Sequence, residues 1–121
     1  MKTLGRLGLC CAVLSLSAHS AWAHAHLDHS TPAAGSVAAP APKEIALWFT
    51  EALEPKFSAI EVRNAKDEAM QADKATVDDD NRAVLRVALK PLPPGTYKVI
   101  WRVLSVDTHR TNGSFTFRVG P

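Results

Sequence analysis

The run "GTYKVIWRVLSVD", residues 95–107, decides the fold. Tyr97, Val99, Trp101 and Val103 recur at every second position, so they share one face of an extended chain. Alternation over this length marks a strand with one buried face. It is the longest such run in the sequence, and shorter ones surround it. "SFTFRV" (114–119) turns Phe115, Phe117 and Val119 inward and Thr116 and Arg118 outward. "IALWF" (45–49) sets Ile45, Leu47 and Phe49 on one face, and "FSAIEV" (57–62) offers β-branched Ile60 and Val62. "AVLRVAL" (83–89) alternates Val84, Arg86 and Ala88 against Leu85, Val87 and Leu89. Turn chemistry separates the runs: Pro-Ala-Ala-Gly at 32–35, Pro-Leu-Pro-Pro-Gly at 91–95 and Asn-Gly at 112–113. No segment carries a capped 3.6-residue period. The pattern predicts an all-β fold, a small immunoglobulin-like β-sandwich or Greek-key β-barrel.

Residues 64–82, "NAKDEAMQADKATVDDDNR", resist strand assignment. They read as a solvated, charge-rich connection with Met70 alone in it. Asp78-Asp79-Asp80 lacks the ligand spacing, mid-loop glycine and closing glutamate of a calcium loop.

The front of the chain has its own logic. Lys2 and Arg6 precede a short apolar run from Leu7 to Leu16, and Ala21-Trp22-Ala23 fits a small-x-small cleavage site. This is the pattern of a secretory signal, and the run is short for a spanning helix. Cys10 and Cys11 lie within it and would leave with it. The expected division is therefore a signal at 1–23 and one domain at 24–121. Two of the 14 basic residues and none of the 12 acidic ones fall in the first 23 positions. The mature chain then carries 12 of each sign and is formally neutral. Composition thus gives no case for nucleic acid or anionic lipid as partner. With no cysteine left, its core must hold it together. About two-thirds of the unfolded surface of a chain this long is buried on folding, enough for one domain.

Cleavage after Ala23 makes His24 the first residue, and three of the five histidines (His24, His26 and His29) fall within six positions. An N-terminal histidine offers its α-amine and imidazole Nδ1 to one metal in a six-membered chelate ring. The amine has an ordinary pKa of about 7.7, so a metal displaces its proton near neutrality. Nitrogen and oxygen donors favour Cu(II), whereas the soft ligands that Cu(I) prefers are scarce here. The remaining donors are expected from Asp107 and His109 in "SVDTHRTNGSF", two residues apart and on one side if strand geometry persists. Alone, Asp-x-His is an ordinary exposed pair; beside a processed N-terminal histidine it reads as a ligand pair. A competing site exists. A free amine with histidine at the third position can wrap Cu(II) through two ionised amides and the His26 imidazole. The folded site avoids ionising those amides, which leaves His26 as a neighbour. His29 lies on the opposite parity and reads as solvent-exposed. Trp48, Trp101 and Phe115 read as core aromatics, and Glu54, Glu61 and Glu68 as a solvated face.

These stretches together resemble the CopC family of periplasmic copper-binding, copper-resistance proteins over essentially the whole mature chain. The resemblance rests on "HAHLDHSTPAAGS" (24–36), "LWFTEAL" (47–53) and "PLPPGTYKVIWRVLSVDTHRTNGSFTFRV" (91–119). It implies one Cu(II) per chain, held by the amine and imidazole of His24 with Asp107 and His109. It also implies that Glu51 lies near the ion as a hydrogen-bonding neighbour or weak ligand, and that a CopD-type inner-membrane protein is a partner. Some members carry a methionine-rich loop with its own histidine that binds Cu(I). The corresponding segment here has only Met70, which implies a Cu(II)-only member.

Three classes of function follow. The first is a non-catalytic periplasmic carrier or buffer, with no membrane anchor of its own. The second is a copper enzyme with a histidine brace, like the polysaccharide monooxygenases. The third is a structural sandwich with adventitious metal binding. A brace enzyme wants two imidazoles, an open position for oxygen and a broad substrate platform. The carboxylate of Asp107 and the 98 mature residues speak for the carrier.

Overall fold

The computed structural model describes residues 25–121, so the expected signal (1–23) and His24 lie outside the described residues. Its axis is the decisive run itself, β7 (Gly95–Leu104), which pairs antiparallel with β8 (Arg110–Val119) over their full length. On its other side β7 takes β4 (Ala59–Arg63), antiparallel, and the short β2 (Val37–Ala38) joins β8 in parallel. The second sheet is built on β3 (Glu44–Phe49), flanked by β1 (Leu27–Thr31) and β6 (Val84–Ala88), with β5 (Thr76–Val77) beyond β6. The strand orders are therefore β2-β8-β7-β4 and β1-β3-β6-β5. The protein is an immunoglobulin-like β-sandwich, as the alternation predicts.

The two sheets meet through the faces that the sequence marks. Tyr97, Val99, Trp101 and Val103 are buried, and so are Ile45, Leu47 and Phe49 across the interior. Each such side chain contributes about 1.5–3 kcal/mol by leaving water. The Tyr97 ring stacks on Phe117 while its hydroxyl donates to the carbonyl of Pro93, which fastens the Pro-rich entry to β7. Burial alone pushes the Tyr97 phenol above its ordinary pKa.

Four expectations need correction. Asn112-Gly113 is no turn: it lies inside β8, with Gly113 opposite Trp101. A Cβ at Gly113 would fall 2.5 Å from Trp101 Cζ2, so glycine is present because the indole lies flat over the backbone. Second, Phe57 ends a single 3-10 turn (Pro55–Phe57) rather than starting a strand, and it is exposed. Third, the 64–82 segment is more than a solvated connection. Val77 of β5 is buried, Met70 packs on the core, and the Met70 amide donates to the Val62 carbonyl at 2.7 Å. Asp78 spends both carboxylate oxygens locally: Oδ1 accepts the amides of Asp80 and Asn81, and Oδ2 accepts Arg86 Nε at 3.0 Å. The Asp80 amide, then Arg86 and after it the Asn81 amide, hold its pKa below the ordinary 3.8. Fourth, Trp48 is not a core residue. It lies on the outer face of its sheet, stacked on the His29 ring at 4.5 Å with Arg86 5.6 Å from its centroid.

Candidate metal centre

Three segments converge at the end of the sandwich where β7 turns into β8. The turn itself spans Ser105–His109 and is organised by Ser105, which is fully buried. Its amide donates to the His109 carbonyl at 3.0 Å, and its hydroxyl accepts the His109 amide at 3.3 Å while donating to Asp107 Oδ1. Thr108 closes the reversal with a φ of 73°, and its amide donates to the Ser105 carbonyl at 2.9 Å. The carboxylate and imidazole of the Asp-x-His pair thereby face each other, with His109 Nδ1 3.3 Å from Asp107 Oδ1. The Ser105 hydroxyl, and after it His109, holds the Asp107 carboxyl below its ordinary pKa. It is thus an anionic oxygen donor at any physiological pH.

The pairing of Asp107 and His109 is therefore real, but strand parity does not cause it. They lie in the turn beyond β7, and a left-handed residue between them brings them together.

The second segment follows β3. The Thr50 amide donates to the His26 carbonyl at 2.9 Å, and the Ala52 carbonyl accepts the Val106 amide at 3.0 Å. Glu51, half-buried, lies between these two contacts. It is thus joined through the backbone to both the N-terminal segment and the turn.

The third segment is the start of the described chain. Ala25 is completely buried, and its carbonyl accepts the Thr111 hydroxyl at 2.7 Å. The His26 amide donates to Thr50 Oγ1 at 2.9 Å, while the His26 side chain itself is exposed. Residues 25–26 are therefore clasped between the end of β3 in one sheet and β8 in the other, one residue after His24. His24 lies outside the described residues. Among the described residues no three His, Cys, Asp or Glu side chains form a metal-sized group, so Asp107 and His109 stand as a pair. His29 is exposed, as expected, although a register shift rather than simple parity puts it there, with Nδ1 2.7 Å from Asp28 Oδ2.

Sequence reasoning missed the residues that do the holding: Ser105, Thr50 and Thr111. Ser-x-Asp at 105–107 is a local side-chain pairing visible in the sequence. Nothing local marks Thr111, whose partner Ala25 is 86 positions away.

The CopC domain model matches residues 27–120. The chain belongs to the CopC domain family. It is 41% identical over 115 residues to Protein YobA of Escherichia coli K12, covering 94% of this chain and 93% of that one. Among solved structures it is similar to CopC from Methylosinus trichosporium OB3b, with a TM-score of 0.76 and 31% identity over 81% of this chain and 95% of that chain. It is also similar to PcoC from Escherichia coli, described as a methionine-rich copper resistance protein. The TM-score there is 0.70, with 37% identity over 80% of this chain and 99% of the other. Among the described residues this CopC-family chain has one methionine, Met70, and it packs against the core.

Proposed function

We propose that residues 24–121 form an exported, periplasmic copper-binding domain that carries or buffers one Cu(II) ion for copper resistance and homeostasis. His24 supplies its α-amine and imidazole, Asp107 a carboxylate oxygen and His109 an imidazole nitrogen. Glu51 hydrogen-bonds nearby or approaches the ion weakly. The ion is cargo, and no chemical transformation is assigned to it. A membrane copper transporter of the CopD type is the expected recipient.

One observation carries the reading. Ala25 and His26 are pinned by Thr111 and Thr50 across the same end of the sandwich that holds the Asp107–His109 pair. The same clasp opposes the competing peptide chelate. Wrapping an ion through the residue 25 and 26 amides would strip the His26 N–H from Thr50 and drag buried Ala25 out of the core. The folded arrangement needs neither step, and preorganised donors bind with little ordering cost.

The test is mass spectrometry of the exported protein, apo and copper-loaded, beside a form that retains one methionine before His24. The expected result is a mature chain starting at His24 with one copper. The extended form should keep its circular dichroism spectrum and lose high-affinity Cu(II) binding, because its α-amine has become an amide. Equal affinities would show that the amine is not a ligand.

A further inference from the structure

Formal neutrality conceals a division of charge between the two outer faces. On sheet β2-β8-β7-β4, the outward parity of β7 carries Lys98 and Arg102, that of β8 carries Arg110 and Arg118, and that of β4 carries Arg63. Register confirms a single face, with Arg63 opposite Lys98, and Thr96 opposite Arg118. The one carboxylate among them, Glu61, lies 3.5 Å from Arg63 and 3.9 Å from Arg102. The outer face of sheet β1-β3-β6-β5 has the opposite balance, with Asp28, Glu44 and Asp78 against Arg86.

The exposed large hydrophobic side chains among the described residues border the basic face. Val37 is 64% exposed on β2 opposite Arg118, and Val106 is 53% exposed at the β7–β8 turn. Phe57 is 57% exposed and shares a shallow depression of about 160 Å³ with Arg102 and Arg110. Between these corners the exposed side chains are polar or charged, Asn112, Ser114 and Thr116 among them, while Ile100 and Leu104 on the same face are half-buried. A protein–protein interface has the reverse plan, an apolar centre inside a polar rim. A cationic centre with apolar corners matches a planar layer of phosphates over hydrocarbon. Guanidinium forks fit phosphate oxygens, and corner side chains reach the acyl boundary.

We propose that the outer face of sheet β2-β8-β7-β4 docks on an anionic phospholipid bilayer. Phe57 and Val106 lie at the same end as the Ser105–His109 turn, so docking brings that end to the membrane surface. This holds whether or not the turn binds copper. The charges act together, each basic residue strengthening attachment about fivefold near an anionic surface.

The experiment is co-sedimentation of the mature protein with mixed phosphatidylglycerol–phosphatidylcholine vesicles, with pure phosphatidylcholine vesicles beside them. Binding is expected to the mixed vesicles only and to weaken at high ionic strength. Lys98→Glu/Arg118→Glu should lower it about tenfold or more, and Phe57→Ser a few-fold, with unchanged circular dichroism. The same reversal elsewhere, Lys66→Glu/Lys74→Glu, should reduce it far less. Equal binding to both vesicle types, or equal loss in both double variants, would overturn the assignment. So would an absence of vesicle binding combined with salt-sensitive binding of polyglutamate that Lys98→Glu/Arg118→Glu abolishes. That result would give the face to an acidic protein instead.

Discussion

Replacing Thr111 by valine tests whether the clasp on the N-terminal segment serves the metal or only the fold. The side chain keeps its shape and loses one hydroxyl, the donor to the Ala25 carbonyl at 2.7 Å. Because Ala25 is completely buried, that carbonyl is left without its partner, at a cost of about 1–3 kcal/mol. The chain can avoid the cost by letting residues 25–26 peel away, which leaves the paired core of β3, β6, β7 and β8 in place. The penalty then appears in copper affinity, as a loss of about 5- to 150-fold. Competition titration against a chelator reads the affinity, and urea unfolding of the apo protein reads the stability. Thr111→Ser should restore most of the affinity, and Thr116→Val, on the outward face of the same strand, should change neither quantity. Unchanged Cu(II) affinity in Thr111→Val, with the whole loss in urea stability, would refute the claim that the clasp positions a ligand.

Other perturbations probe the remaining parts. His109→Ala should weaken Cu(II) binding by about 100-fold or more and Asp107→Ala by less, since losing even a hydrogen-bonding neighbour of a ligand costs 10–100-fold. If both bind normally while His26→Ala abolishes binding, the N-terminal peptide chelate is the site. Gly113→Ala forces a methyl group to within 2.5 Å of Trp101 and should destabilise the apo fold by about 1–3 kcal/mol, read by urea unfolding. Asp78 has a lowered pKa in the folded state, so its contribution is present above the ordinary 3.8 and lost as pH falls below it. The stability gap between the parent and Asp78→Asn should therefore shrink in acid; a gap that persists well below that pH would dissociate the effect from ionisation.

The long strands were readable because each has one dry face, so burial writes itself into every second position. β7 follows that rule from Thr96 to Val103, and β3 departs from it at Ala46, which is buried on the outward parity. The same rule places Trp48 outward, between inward Leu47 and Phe49. Its expected core role came from aromatic character, and parity was the better guide. β1, β2 and β5 were not legible for different reasons. β1 has a register shift between Leu27 and His29, which breaks the alternation. β2 and β5 are two residues each, too short to show any period. At the candidate centre, residue chemistry pointed to Asp107 and His109, while the means of bringing them together lay in backbone reversal at Thr108. Glycine at 113 was read as turn punctuation, yet its partner is an indole on the neighbouring strand.

The position of β1 at the edge of its sheet bears on how quickly an ion can leave. Among the described residues β1 has β3 as its one strand neighbour, so fraying it together with the Ala25–Thr111 and His26–Thr50 contacts leaves the β7–β8 hairpin whole. One half of the proposed donor set, His24, precedes this edge strand in the sequence, and the other half lies in the turn between the two longest strands. Release from the proposed site would then proceed by a swinging end rather than by unfolding, with a lifetime set by the opening rate of a single edge. On the proposed assignment, Asp107 and His109 would still hold the ion during that opening while an acceptor takes the vacated positions. Hydrogen exchange at the His26 and Thr50 amides measures the opening directly. Copper release slower than that opening by many orders of magnitude would rule the swinging end out.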